Sequence, residues 1–262
     1  MSATVSATAP LRLLLSTLAV IIALGSWQAL TAGGLVGPEL LASPAQVVAA
    51  AGEILRDGYR GTTLAQNLAA TLGRCLAGFA LAVLIGVPLG LLMGLQPRIA
   101  AVLGDLLQFL RPLPPLSYMI LLILWFGTGD GSKVALLFLT ALPIITSATM
   151  AGVRLVPHAR ILAARSLGAG FGQVIRHVVL PSSLPSIFTG LRIALAAAFS
   201  TVVAAELLAA TDGLGWMVLS ASRFLRSDVI LLGILLLGLS GMALSHALRL
   251  LERRLVHWHG HV

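Results

Sequence analysis

The sequence predicts an all-α integral membrane protein of about six hydrophobic helices folded as one bundle, and three observations carry that prediction. Of 262 residues, 58% are hydrophobic and only 10% charged, and the mean hydropathy is +1.00. Globular domains hold about 45–50% apolar and about 25% charged residues. The apolar residues fall in runs near the length that crosses a bilayer, about 20 residues. None of these runs alternates polar with apolar as a barrel strand must, and backbone groups in hydrocarbon need partners within the segment, which a helix supplies.

Taken in order, the runs are Leu11 to Leu30, Leu68 to Leu95, Ile99 to Gly127, Val134 to Gly152, Ile187 to Ala210 and Val229 to Leu251. Met1 to Pro10 is a short polar tail, and the run behind Arg12 reads as a retained first span rather than a cleaved secretory signal. After it, Ser43-Pro44 starts a short capped helix, Ala45 to Arg56, on the outer face, with Pro44 at its first turn. The third run contains Arg111-Pro112-Leu113-Pro114-Pro115 and is too long for one untilted span, so it is expected broken or kinked. Backbone freed at that depth is tolerated where protein or a water-filled cavity satisfies it; the break is either a pointer to a pathway or a loop before an ordinary span. A further short helix is expected from Gly215 to Phe224, with Trp216 and Met217 at the membrane interface or against a solute.

The net charge of +8 does not point to nucleic acid, because the basic residues sit in short segments between apolar runs and read as topology signals. With the N-terminus in the cytoplasm, ten basic residues fall on that side (Arg12, Arg98, Arg154, Arg160, Arg165, Arg176, Arg192, Arg249, Arg253 and Arg254). Five fall outside: Arg56, Arg60, Lys133, Arg223 and Arg226. This satisfies the positive-inside rule and puts both termini inside, with 1–10 and 252–262 as tails around a single membrane domain at 11–251. The one cysteine, Cys75, lies in the second run, so no disulfide forms within the chain, and it reads as a small packing residue.

The longest polar connection, 153–186, lies on the cytoplasmic side by this count. Pro157 can start a helix carrying Ala163, Ala164 and Arg165; Gly168 to Gly172 supplies a break; Gln173 to Val179 makes a second short helix expected to end before Pro181. Two small helices joined by glycines form a docking surface rather than a reaction site. Here the sequence resembles the inner-membrane permease subunits of ATP-binding-cassette importers, whose cytoplasmic EAA loop reads Glu-Ala-Ala, three residues, Gly, then a downstream Leu-Pro. Ala163, Ala164, Gly168, Leu180 and Pro181 match that pattern and spacing, while Leu162 stands where the glutamate would be. The resemblance runs from about Ser43 to the C-terminus and is closest to the nitrate, sulfonate and taurine branch. It is carried by RPLPPLSYMILLILWFGTGDGSK, LPSIFTGLRIALAAAFSTVVAAELLAATDGLGWMV and FLRSDVILLGILLLGL.

The resemblance implies a type I importer core: a homodimer of this chain in a bacterial inner membrane, two cytoplasmic ATPase subunits holding ATP and Mg, and a periplasmic or lipid-anchored substrate-binding protein. It makes Leu162, Ala163, Ala164, Arg165, Gly168, Ala169, Leu180 and Pro181 the ATPase-coupling residues, with an ion pair missing at Leu162. The chain itself would carry no cofactor and do no chemistry; it would pass a small anionic solute such as nitrate, taurine or an alkanesulfonate by alternating access.

Ionisable residues within spans cost about 2.5–3.5 kcal/mol at the helix centre, so each calls for a partner or a cavity. Arg111, at the proline break, either lines a path for an anion or caps carbonyls freed by the prolines. Glu206 is also a candidate for the pathway, but it would repel an anion, so it is expected to pair with an arginine or to cap the segment near Gly213 and Gly215. Thr189, Ser200 and Thr201 line a pathway, with Pro114 at its break, or bond their own helix at the preceding turn. Ala194, Ala196, Ala197 and Ala198 allow close helix approach. His257, His259 and His261 alternate in a terminal tail, poor geometry for a metal. An intramembrane enzyme would show convergent nucleophilic or paired acidic groups, and no such set occurs. Neither does a glycine-rich phosphate loop followed by lysine, so any ATP is hydrolysed by another subunit. A secondary transporter or channel, the alternative reading, would show internal repeats or a coupling-ion site made of several intramembrane polar groups, and no such repeat occurs.

Overall fold

The computed structural model describes residues 9–33 and 37–256, with the side chains of residues 15 and 17–33 in the first stretch. The expected metal-poor histidines 257, 259 and 261, and most of the N-terminal tail, lie outside the described residues. Apart from one isolated bridge between Tyr59 and Thr62, all regular structure described is helical. The helices are α1 (Ala9–Ala32), α2 (Pro44–Asp57), α3 (Leu64–Leu95), α4 (Pro97–Leu110), α5 (Met119–Phe126) and α6 (Asp130–Arg154). They continue with α7 (His158–Ser166), α8 (Phe171–Val174), α9 (Leu180–Ala209), α10 (Leu214–Ser222) and α11 (Ser227–Leu255).

Four helices are long and apolar enough to cross a bilayer, Leu64–Leu95, Asp130–Arg154, Phe171–Ala209 and Ser227–Leu255. They carry the second, fourth, fifth and sixth runs. The first run is α1, in which Thr17–Ala32 is a shorter apolar stretch. The third run is broken as expected. Its pieces have 14 and 8 residues, about 21 and 12 Å of rise, each short of the ~30 Å hydrocarbon core. Prolines cause this: α4 stops at Leu110, a 3-10 turn spans Pro115–Ser117, and α5 starts only at Met119.

The chain divides into two compact units, Met1–Leu64 with Met217–Leu235, and Ala65–Trp216 with Leu236–Val262. In the first, α1 exposes nearly all its described side chains, as a helix apolar all round does when lipid is its solvent. Its Trp27 Nε1 donates to the Ala42 carbonyl at 2.9 Å. Next comes α2, which starts as the sequence dictates: Ser43 and Gln46 form a capping box with Pro44 in the first turn. Its buried residues Val47, Ala50 and Ile54 form one stripe. Arg226 donates to Glu53 at 3.0 Å and to Asp228 at 2.9 Å, and these carboxylates, Asp228 first, hold the guanidinium above its ordinary range. Met217, expected at an interface, is fully buried.

The second unit is built on α3, α6 and α9. Along α3, Gly78, Ala82, Gly86, Gly90 and Gly94 recur every fourth residue, one face of a helix. A Cβ on Gly78 would lie 2.5 Å from the Leu137 Cβ, and one on Gly90 2.6 Å from the Thr146 carbonyl oxygen, so this face admits α6 at backbone distance. Without a hydrophobic drive in lipid, such close packing is the main source of helix association. The core joins Cys75, Ala82, Leu137, Ala141, Ile145, Phe188, Leu195 and Val202, with Leu248 from the last turns of α11 and Val256 just beyond it. Ala194 and Ala198 are buried within it, whereas Ala196 is exposed. Cys75 is a packing residue, fully buried.

Candidate functional site

The hairpin between α6 and α9 opens with Pro157 at the N-cap of α7 and turns at Gly168. The backbone of Gly168 is left-handed, φ +84, and it closes the helix with its own N–H on the Arg165 carbonyl at 2.9 Å and the Ala169 N–H on that of Ala164 at 3.1 Å. This double closure is the glycine C-cap that a β-branched residue cannot adopt cheaply. Gln173 then accepts from the Gly170 N–H at 2.8 Å. Val153, Val156, Val174 and Val179 make a small core under the turn, with Ala164 and Ala169 packed on it. Leu162, Ala163, Arg165 and Gly168 are exposed, and Leu180 and Pro181 half-buried. Leu167, at 90% exposure, and Leu162, at 51%, give the hairpin an apolar outer surface.

One expectation fails here. The second arm does not end before Pro181: α8 passes through a π-helical stretch, Ile175–Val179, into α9, giving one helix from Phe171 to Ala209. Pro181 follows directly on the π stretch, at the second residue of α9, where the helix has already left the regular i→i−4 register that a proline would otherwise interrupt.

Along the same unit runs an open groove of about 820 Å³. Arg111, Pro115 and Tyr118 from the broken third run, Thr140, Pro143 and Ser147 from α6, and Ser186, Thr189, Ala197 and Thr201 from α9 line it. Of the six residues expected on a pathway, Arg111, Thr189 and Thr201 line this groove; Pro114, Ser200 and Glu206 do not. Pro114 is instead the N-cap of the 3-10 turn. The hydroxyls of Thr189, Ser200 and Thr201 all donate to carbonyls four residues back, at 3.0, 3.0 and 2.8 Å, the self-bonding alternative raised from the sequence.

Glu206 is fully buried and belongs to a separate charge cluster at the end of the unit opposite the hairpin. Arg74, on α3, donates to it at 2.9 Å, to Asp130 at 2.6 Å and to Asp212 at 2.5 Å. Glu206 also accepts from the Thr71 hydroxyl at 2.9 Å and the Gly215 N–H at 2.9 Å. Asn67 takes the Gly213 N–H and Thr71 the Leu214 N–H, each at 2.8 Å, so with Gly215 on Glu206 three successive donors at the start of α10 are satisfied. This is the pairing with an arginine, and the capping near Gly213 and Gly215, expected for Glu206. Lys133 is buried beside the cluster, with its ammonium on the Thr128 and Gly129 carbonyls at 2.8 and 3.1 Å. Sequence reasoning missed Arg74. A charge inside the second apolar run, in a chain with one buried carboxylate to neutralise, was the available signal.

Residues 86–257 match the family described as binding-protein-dependent transport system inner membrane component. The taurine transport system permease protein TauC of Escherichia coli (strain K12) is 43% identical over 249 residues, 95% of this chain and 90% of its own. The chain belongs to this permease family. The putative aliphatic sulfonates transport permease protein SsuC of Bacillus subtilis (strain 168) is 34% identical to the permease over 92% of this chain and 85% of its own. Inward facing MetNI methionine ABC transporter structures share the permease fold, at TM-score 0.58 and 20% identity over 71% of this chain and 95% of theirs. As a multi-pass inner-membrane component the permease is the non-catalytic part of its transport system. Among its described residues, no group of three or more His, Cys, Asp or Glu is arranged to hold a metal.

Proposed function

We propose that the permease works as a homodimer with two cytoplasmic ABC ATPase subunits seated on its hairpins. It imports a small solute bearing an anionic sulfonate group, of the taurine or alkanesulfonate class, with nitrate as the related oxyanion, handed over by a periplasmic or lipid-anchored binding protein. Both termini and the hairpin face the cytoplasm, in line with the excess of arginine on that side. The observation that carries this reading is the continuous helix Phe171–Ala209. Its first turns form the second arm of the hairpin and its middle carries Thr189 and Thr201 on the groove. A displacement of the hairpin by closing ATPase subunits therefore acts on the groove wall without an intervening flexible joint, and ATP hydrolysis resets it.

Leu162, Ala163, Ala164, Arg165, Gly168, Ala169, Leu180 and Pro181 are the coupling set, with an apolar contact at Leu162 in place of an ion pair. Arg111 supplies the groove with its positive charge, and the hydroxyls of Thr189 and Thr201 keep a second lone pair for solute-bound water or donors. Glu206 and the Arg74 cluster hold the outer end of the bundle. The test is ATP hydrolysis by the complex reconstituted with its binding protein. Taurine or an alkanesulfonate should stimulate it; stimulation only by solutes that carry no sulfonate or other oxyanion group would refute the substrate class.

A further inference from the structure

A second pocket, of about 540 Å³, lies between α9 and the end of α11, lined by Ser186, Thr189, Arg192, Arg249, Glu252 and Arg253. Its charge is unbalanced: three guanidiniums face one carboxylate. Arg192 and Glu252 pair at 3.2 Å, and Arg192 reaches the Thr189 hydroxyl at 3.4 Å, which leaves Arg249 and Arg253 without a carboxylate among the pocket's lining residues. Two ordinary roles account for part of this arrangement. Arginine in the last turn of a helix offsets the macrodipole, and basic residues at a span's end set topology. Arg254 serves both roles without lining the pocket. The macrodipole does not explain Arg192, which projects from the interior of α9 rather than from its end, and neither role explains the convergence of three cations with two hydroxyls on one concavity. Ser186 and Thr189 also line the groove, so the two spaces share a rim.

We propose that Arg192, Arg249 and Arg253 form an anion-binding pocket for a sulfonate- or phosphate-class group at the hairpin-side end of the groove. Planar guanidiniums match the oxygens of such a group in paired hydrogen bonds. Glu252 occupies Arg192 when the pocket is empty and is displaced by the anion's oxygens. Two sources share this chemistry, a free sulfonate leaving the groove and the headgroup of an anionic phospholipid. The inference rests on the import reading only in naming the free anion as transported solute.

The test uses the full chain in nanodiscs of phosphatidylcholine alone, titrated with methanesulfonate against sodium chloride of equal ionic strength, with thermal melting as the readout. The wild type should show a saturable rise in melting temperature. In Arg249→Gln/Arg253→Gln the apparent affinity should fall by about tenfold or more, in Arg249→Lys/Arg253→Lys by less, and in Arg254→Gln not at all. In a second arm, discs containing phosphatidylglycerol are examined by native mass spectrometry. One phosphatidylglycerol retained by the wild type and lost by the glutamine variant, with no methanesulfonate response, identifies the headgroup as the source. The proposal is overturned if neither anion binds saturably, or if the glutamine variant binds as well as the wild type. Binding is measured without ATPase subunits, so intact binding with absent ATP-driven uptake would sink the import reading alone, and intact uptake with absent binding would sink this one alone.

Discussion

Replacing Arg74 by methionine removes a cation while keeping most of the side-chain volume, and the structure sets the size of the penalty. Of its three carboxylate partners, Asp130 is 66% exposed and Asp212 39%, so those pairs contribute at most about 1 kcal/mol each. Glu206 is 0% exposed. Without Arg74 it stays buried with only the Thr71 hydroxyl and the Gly215 N–H, and breaking a buried pair by removing one partner costs about 3–5 kcal/mol. That single uncompensated carboxylate dominates the total. At about 2–4 °C per kcal/mol for a chain of this size, the melting temperature should fall by roughly 6–20 °C. Arg74→Met/Glu206→Gln should recover most of the loss, because glutamine still accepts from Gly215 and carries no charge; the double-mutant cycle should give a coupling energy of about 2 kcal/mol or more. Thermal unfolding of the detergent-solubilised chain measures Arg74→Met, Glu206→Gln and the double variant. Melting of Arg74→Met within about 2 °C of the wild type, or a double variant no better than the single, would refute the reasoning.

Other substitutions probe the remaining parts. Gly168→Val forces a β-branched residue to φ +84, which should loosen the hairpin and uncouple ATP hydrolysis from uptake while insertion and amount in the membrane stay unchanged; wild-type uptake would count against the coupling role. Arg111→Ala should lower anion uptake several-fold more than it lowers assembly with the ATPase, measured by co-purification, and equal losses would favour a role in capping freed carbonyls. Gly90→Ala places a Cβ 2.6 Å from the Thr146 carbonyl oxygen and the Thr149 Cβ, an overpacking cost of about 1–3 kcal/mol; Gly104→Ala, inside α4 with nothing near it, should be neutral to stabilising by up to about 1 kcal/mol in the same melting assay.

The legibility of this fold in its sequence follows from which constraints are local. Hydrocarbon forces each spanning segment to satisfy its own backbone, so the runs, the Ser43-Pro44 helix start and the proline break after Leu110 could all be read directly. The Gly168 turn was likewise legible, because only a residue free to take positive φ closes α7 there. The failure at Pro181 came from a local rule meeting an unusual local geometry. Proline normally ends a helix, but here it follows a π stretch, Ile175–Val179, that has already left the regular register, and nothing in the residues of that stretch marks it. Arg74 was missed because its partners lie 56, 132 and 138 residues away, a distance no periodicity spans. The groove was half-read: Arg111 and Thr189 stood out as polar residues in apolar runs, whereas Tyr118, Thr140 and Ser147 become lining only when α6 packs along α9.

The central claim is that the hairpin is a cytoplasmic handle rigidly joined to the groove wall, and Leu167→Cys tests it most directly. This side chain is 90% exposed, and the native Cys75 is buried. A membrane-impermeant maleimide should label it in inverted inner-membrane vesicles and spare it in right-side-out ones, and the co-expressed ATPase should protect it from the label. Labelling in right-side-out vesicles, or labelling indifferent to the ATPase, would contradict the account.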